Sequence, residues 1–471
     1  MATRLDAADI QGLVVSAFGH LPCAAYRLLR VTDAGAARAW LRSFVDRVTT
    51  AERKQDHRSL NVAITFSGLQ ALGLGADALT TFPVAFREGM ASPRRSRVLG
   101  DSAENDPAIW VWGGPTAVVD MAMLVYAEDE QELERQLNDD LAVVPGAGVI
   151  EVATLAAGRQ PDNREHFGFM DGIGQPVIDG TGRETRQRRR TGHATVVPAG
   201  EFVLGYDNVY GTPSLMPTVP PADDPTHVLP LGTNGRGALG QNGSYLVFRQ
   251  IAQDVAGFWQ FATRTGRALW PADANAPLRF AAKCVGRWPS GAPLVTHPAN
   301  DVPPGDERAK LENDFSYAPL DLHGTRCPLG AHIRRSNPRD SLGPDADQAR
   351  ASANRHRLMR RGRSYGHRLA DPLVDDGKER GLHFICLNAD LERQFEFVQQ
   401  TWINNPVFAG LSSETDPVIG NQVATGGAFS IPETPLRRRV SNLQQFTRMR
   451  GGAYFFLPGI RALRFLAGPL G

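Results

Sequence analysis

Tyr26-Arg27-Leu28-Leu29-Arg30-Val31 and Tyr245-Leu246-Val247-Phe248-Arg249-Gln250 are apolar-rich runs, each of which leads into a helical pattern. The first reads as a strand followed by an amphipathic helix from Ala36 to Phe44, with Trp40 on its core face. The second reads as a strand followed by a helix through Trp259. The spacing Tyr-x3-Arg-x9-Trp holds in both, as Tyr26/Arg30/Trp40 and Tyr245/Arg249/Trp259. A second pair repeats the theme. Met123 to Ala127 feeds a helix from Glu130 to Leu137, and Phe384 to Ala389 feeds one from Leu391 to Trp402. A strand entering a helix twice in each half predicts two β-α-β-β-α-β units, ferredoxin-like in topology. The fold class is therefore α+β, with antiparallel sheets and peripheral helices.

The boundary between the units is read from composition. Pro217, Pro220, Pro221, Pro225 and Pro230 precede Gly232, Gly235, Gly237, Gly240 and Gly243. Such a stretch reads as a linker or long loop. The predicted division is residues 1–215, a linker over 216–243, and residues 244–471.

Composition narrows the function classes. Lys plus Arg is 51 against 50 for Asp plus Glu, so the net charge is +1. That offers no global attraction to nucleic acid or to an acidic membrane. The most basic run, Arg183 to Arg190, lacks interleaved aromatics and reads as a solvated loop. No run of apolar residues is long enough for a spanning helix, so no membrane partner is expected. Cys23, Cys284, Cys327 and Cys386 form no C-x-x-C pair. With no leader visible after Met1, a cytoplasmic location is expected.

Three segments carry chemistry. Glu165-His166-Phe167-Gly168-Phe169-Met170-Asp171-Gly172-Ile173-Gly174-Gln175-Pro176 contains a carboxylate at an Asp-Gly step. By itself that dipeptide is a common turn. Cys327-Pro328-Leu329-Gly330-Ala331-His332-Ile333-Arg334-Arg335-Ser336-Asn337-Pro338-Arg339 offers an imidazole in an arginine-rich, Pro-bounded stretch. His356-Arg357-Leu358-Met359-Arg360-Arg361-Gly362 adds fixed cations. Carboxylate, imidazole and guanidinium together are the groups a haem peroxidase needs.

These segments resemble the dye-decolourising peroxidase family. So do Asp9-Ile10-Gln11-Gly12, Asn242 to Arg249 and Gly451 to Gly459, and the likeness is greatest to the longer bacterial and fungal members. The resemblance implies a dimeric α+β barrel of two ferredoxin-like units, holding one haem b per chain. His332 would be the axial ligand of the iron, with Cys327 a remote thiolate rival. Asp171 would be the distal acid–base group, able to act in acid because aspartate has a reference pKa of about 3.9. Arg360, with Arg361 as the alternative, would stabilise the departing hydroxide. The His332-to-Arg360 interval implies an inserted loop around Gly343 to Asn354. Leu382 and Phe384 would wall the distal pocket, although their alternation equally suits a core strand. His166 and Arg334 are candidates to meet the haem propionates. Asp390, with Glu392 as rival, is the candidate acceptor for the ligand imidazole, and a plain helix cap is the other reading of Asp390.

The implied function is oxidation of dyes, phenols or other one-electron donors by hydrogen peroxide, through ferryl haem. The alternatives are a haem-handling protein that releases iron or decarboxylates a porphyrin, and a non-catalytic haem-binding protein. A homo-oligomer is compatible with the family. The C-terminal Phe465 to Gly471 is a weak match to an encapsulin cargo tag.

Overall fold

The first strand runs over Cys23–Val31 (β1), and Asp33 starts the next helix, Ala34–Phe44 (α1), by accepting from Ala36 N at 2.7 Å. Arg58–Ile64 (β2), Met121–Ala127 (β3), the helix Glu130–Arg135 (α2) and Val149–Gly158 (β4) complete the first unit. Its antiparallel order is β4-β1-β3-β2. This computed structural model describes residues 4–52, 56–191 and 195–468.

The second unit repeats that order. Ser244–Gln253 (β5) leads through Asp254, whose carboxylate caps Gly257 N, into Val255–Leu269 (α3) and then Ala276–Val285 (α4). The short helix His332–Ser336 (α5) and the helix Ala346–Asn354 (α6) follow. Met359–Arg360 (β6) and Arg363–Tyr365 (β7) both pair with Gly381–Asn388 (β8), and Thr447–Leu457 (β9) closes the unit. The order is β9-β5-β8-β7. The units join where Phe456 pairs with Ile64 and Gly158 with Ser364, which closes the sheet into a barrel.

Strand alternation sorts side chains into two cores. Tyr26, Leu28, Leu124, Phe248, Ile385 and Phe455 fill the barrel interior. Trp40, Leu60, Val125, Tyr245 and Phe456 pack under the helices outside. This corrects the residue-by-residue repeat, although the strand–helix repeat stands. Tyr26 faces inward and Tyr245 outward, so the two spacings are offset by an odd number, which reverses the sheet face.

Other expectations shift in kind. The helix read over Leu391–Trp402 consists of wide π-type turns at Glu392–Glu396 and Val398–Ile403. The segment after Gly343, expected as an inserted loop, holds helix α6, capped by Asp345 on Gln348 N. The Pro- and Gly-rich stretch places Val219, Leu229 and Leu239 in the outer core, and its Arg236 meets Asp77 at 2.9 Å. The basic run lies on a helix, Glu184–Thr191, with Arg188 paired to Glu184. Phe465, Leu466 and Ala467 are buried in a terminal helix, while Pro469 to Gly471 lie outside the described residues. Among the described residues no helix is long and apolar enough to cross a membrane.

Candidate active site

A cavity of about 310 Å³ lies against the outer face of the second sheet. Ile251 of β5, Leu382 and Phe384 of β8, and Met449 of β9 form an apolar part of its wall. Asp171, His332 and Arg360 come to it from three separate segments.

His332 begins α5. Its Nδ1 lies 2.9 Å from Oδ2 of Asp416, which is fully buried. Oδ1 of Asp416 accepts from Val418 N at 2.8 Å and Ile419 N at 3.0 Å. A carboxylate receiving these donors is held ionised, so Nδ1–H donates and Nε2 keeps its lone pair. Burial opposes the positive form of His332, but Asp416 outweighs it and raises the imidazole pKa. Burial likewise opposes the Asp416 charge, and the imidazole and two backbone N–H groups overcome it, so that pKa is lowered. The His332 side chain is 28% exposed, and it lines the cavity. Arg335, one turn on, braces the Asp416 loop by donating to Trp402 O at 2.7 Å, Asn405 O at 3.0 Å and Glu414 O at 2.8 Å.

Asp171 ends a tight loop. Its backbone N–H donates to Asn163 O at 3.0 Å, and Gly172 follows at φ +79°, the left-handed region that glycine tolerates. The Glu165 carboxylate supports this loop from behind, accepting from Phe167 N, Phe169 N and Gln253 Nε2 at 2.7–2.9 Å. Arg360 Nη2 is 3.8 Å from Asp171 Oδ1. Arg361 turns to the other side, donating to Leu13 O and Val14 O at 2.7 Å, and burial pushes its pKa down to about 9. Thus Arg360, and not Arg361, shares the cavity with Asp171 and His332.

Other candidates from the sequence lie elsewhere. Asp390 does not reach His332: its Oδ1 caps Arg393 N at 3.0 Å, as an ordinary helix-start residue does. Glu392 instead binds Arg95 at 2.8 Å. Asp416 takes the place expected of these two, and only its acceptor geometry in an Asp-Pro turn marks it. Arg334 is 1% exposed and does not line the cavity. It donates to Asp321 O, Leu322 O and Cys327 O, pairs with the buried Asp321 carboxylate at 3.3 Å and lies over the Tyr317 ring, so its donors and its charge are satisfied inside the protein. His166 also lies outside the lining, bonded through Nε2 to Tyr365 O at 2.8 Å. Cys327 is buried away from the cavity, and burial pushes its thiol up to about 11.

The donor set fits a haem. It combines one oriented imidazole nitrogen with apolar walls and a polar Asp–Arg pair. Among the described residues no three His, Cys, Asp or Glu side chains cluster as a metal cage.

No family model matches the chain. Individual relatives do. The chain is 30% identical over 424 residues to a multifunctional dye peroxidase of Amycolatopsis, covering 86% of this chain and 82% of that one. It is 29% identical over 490 residues to a dye-decolorizing peroxidase of Auricularia auricula-judae, covering 98% and 87%. Among solved structures, the Auricularia auricula-judae enzyme superposes with a TM-score of 0.78 at 25% identity, covering 98% of this chain and all of that one. A dye-decolorizing peroxidase in complex with 2,6-dimethoxyphenol gives a TM-score of 0.78 at 28% identity, with 98% and 100% coverage. On these likenesses the chain belongs to the dye-decolourising peroxidase family, and its enzyme class is that of the peroxidase oxidoreductases.

Proposed function

We propose that this protein is a haem b peroxidase that uses hydrogen peroxide to oxidise phenols, dyes or other small one-electron donors. The observation that carries the reading is one cavity lined both by an imidazole locked on Asp416 and by the Asp171–Arg360 pair. The phenol complex of a relative favours that donor class. Haem, when bound, supplies the iron that takes up peroxide and the redox capacity for two one-electron oxidations.

The chain's own residues do the rest. His332 would hold the iron through Nε2, with Asp416 fixing the ring orientation and making it a stronger donor. Asp171 would accept a proton from hydrogen peroxide and return it to the oxygen that leaves. Arg360 would offset the negative charge beside Asp171. Leu382 and Phe384 keep large donors away from this centre and limit water. The Glu165-braced loop keeps Asp171 in register with Arg360. All four cysteines are unpaired, which fits a reducing cytoplasm.

The test is an absorption spectrum of haem-loaded protein before and after one equivalent of peroxide, followed by porphyrin analysis after turnover. A peroxide-dependent change that a phenol reverses, with intact porphyrin recovered, is expected. Iron-free or decarboxylated porphyrin as the main product would assign the chain to haem handling instead.

A further inference from the structure

Several arginines line the cavity, and most are already engaged. Arg249 pairs with Asp101, and Arg448 meets Glu104 at 2.9 Å. Arg287 donates to Gly291 O, Glu312 O and Asn313 Oδ1. Arg339 donates to Asn313 O, Phe315 O and Asn313 Oδ1, and its guanidinium lies 3.8 Å from the Phe315 ring centroid. Arg360 faces Asp171.

Arg357 differs. It is 8% exposed and lines the same cavity. Its hydrogen bond to Gly174 O is long, at 3.4 Å, and among the described residues it has no carboxylate partner. Burial, with Arg339 and then Arg360 nearby, pushes its pKa down to about 9. A buried cation without a counter-charge is costly, and two like charges add to that cost. The wall is therefore strongly electropositive at a point where the chain offers no anion of its own. Hydrogen peroxide is neutral at working pH and does not answer that charge. The occupant assigned to this cavity is an apolar macrocycle that carries two carboxylates.

We propose that Arg357 anchors a haem propionate, the role the sequence suggested for His166 and Arg334. The proposal rests on the haem reading above. A carboxylate here gains a charge-assisted hydrogen bond and relieves the crowding of Arg339, Arg357 and Arg360. An anionic organic donor presents the same chemistry, so the test must separate the two sources.

The experiment compares uptake of iron protoporphyrin IX and of its dimethyl ester by the full-length haem-free chain. It uses the wild type, Arg357→Leu and Arg357→Lys, and follows the Soret band and the rate of loss to an excess of a haem scavenger. The wild type should prefer the diacid by on the order of 10- to 100-fold, the size of a hydrogen bond to a charged group. Arg357→Leu should bring that preference close to unity by weakening the diacid and leaving the ester nearly unchanged. Arg357→Lys should keep part of it. The melting temperature of haem-free Arg357→Leu should equal or exceed that of the wild type, because an uncompensated buried charge is gone. If Arg357→Leu folds and retains the full preference, another residue holds the propionate, and the proposal fails while the haem reading stands. It fails in the same way if the preference persists and only the KM of a carboxylate or sulfonate donor rises. If Arg357→Leu does not fold, partial or complete loss of the preference in Arg357→Lys supports the anchor and full retention overturns it, since a lone ammonium cannot fully reproduce the planar fork. Should the wild type take up neither porphyrin, the haem reading fails and the proposal falls with it.

Discussion

His332 Nδ1 and Asp416 Oδ2 are 2.9 Å apart, joined across 84 residues of chain. The contact ties the candidate metal ligand to a carboxylate whose other oxygen is held by two backbone N–H groups. Replacing Asp416 with Asn removes the charge and presents an amide that can hold the ring in the wrong tautomer. Haem affinity or peroxide reactivity should fall by roughly 10- to 100-fold, the usual cost of losing such a partner. The ferric/ferrous midpoint potential should rise. An unchanged potential and unchanged haem retention would show that the contact does not tune the ligand.

Arg360 and Arg361 are adjacent but answer to different surroundings, and so should their variants. Arg360→Leu should slow the peroxide-driven spectral change on the order of 10²–10³-fold with haem still bound. Arg361→Leu should act on stability instead, because Leu13 O and Val14 O lose their buried donor. A loss of roughly 2 kcal/mol is expected, read as a lower thermal midpoint. The reverse assignment of kinetic and stability effects would exchange the two roles.

Asp171→Asn keeps the size of the side chain and removes the base. The rate of peroxide activation should drop by roughly 10²–10⁴-fold with haem still bound, the usual worth of a positioned general base. A matching rate would leave Arg360 or water as the carrier of the proton.

His383 sets a pH limit on the fold. It stands between Leu382 and Phe384 but points into the barrel, 1% exposed, 4.6 Å from the Tyr365 ring and within 3.2 Å of Ala156 O. Burial pushes its pKa from the ordinary 6.5 down to about 4. Between those values the unfolded chain binds the proton and the folded chain does not. Stability is therefore full above pH 6.5 and is lost as the pH falls toward 4. At ~1.4 kcal/mol per unit, the loss approaches about 3 kcal/mol. A shape-conserving His383→Phe variant should show a shallower fall of the thermal midpoint over that range. A slope equal to that of the wild type would mean other groups govern acid unfolding.

The architecture was legible in the chain alone, because period-two and helical patterns are local properties. The runs at Tyr26, Met123, Tyr245 and Phe384 each became a strand that feeds a helix or helical turn. Asp171, His332, Arg360, Leu382 and Phe384 stand in motifs long enough to be recognised, and all five line one cavity. Their partners were not legible, and folding chose them. Asp416 has no motif, and its value lies in an approach to His332 that loop packing and Arg335 create. Arg334 and Arg357 are indistinguishable as letters, yet one is enclosed by carbonyls and the Asp321 carboxylate while the other is left facing the cavity. Tyr26 and Tyr245 match in spacing but stand on opposite faces, since pairing register, not local composition, sets which face a strand residue takes. Burial and charge pairing are sums over neighbours distant in sequence, so they become readable only when the chain has folded.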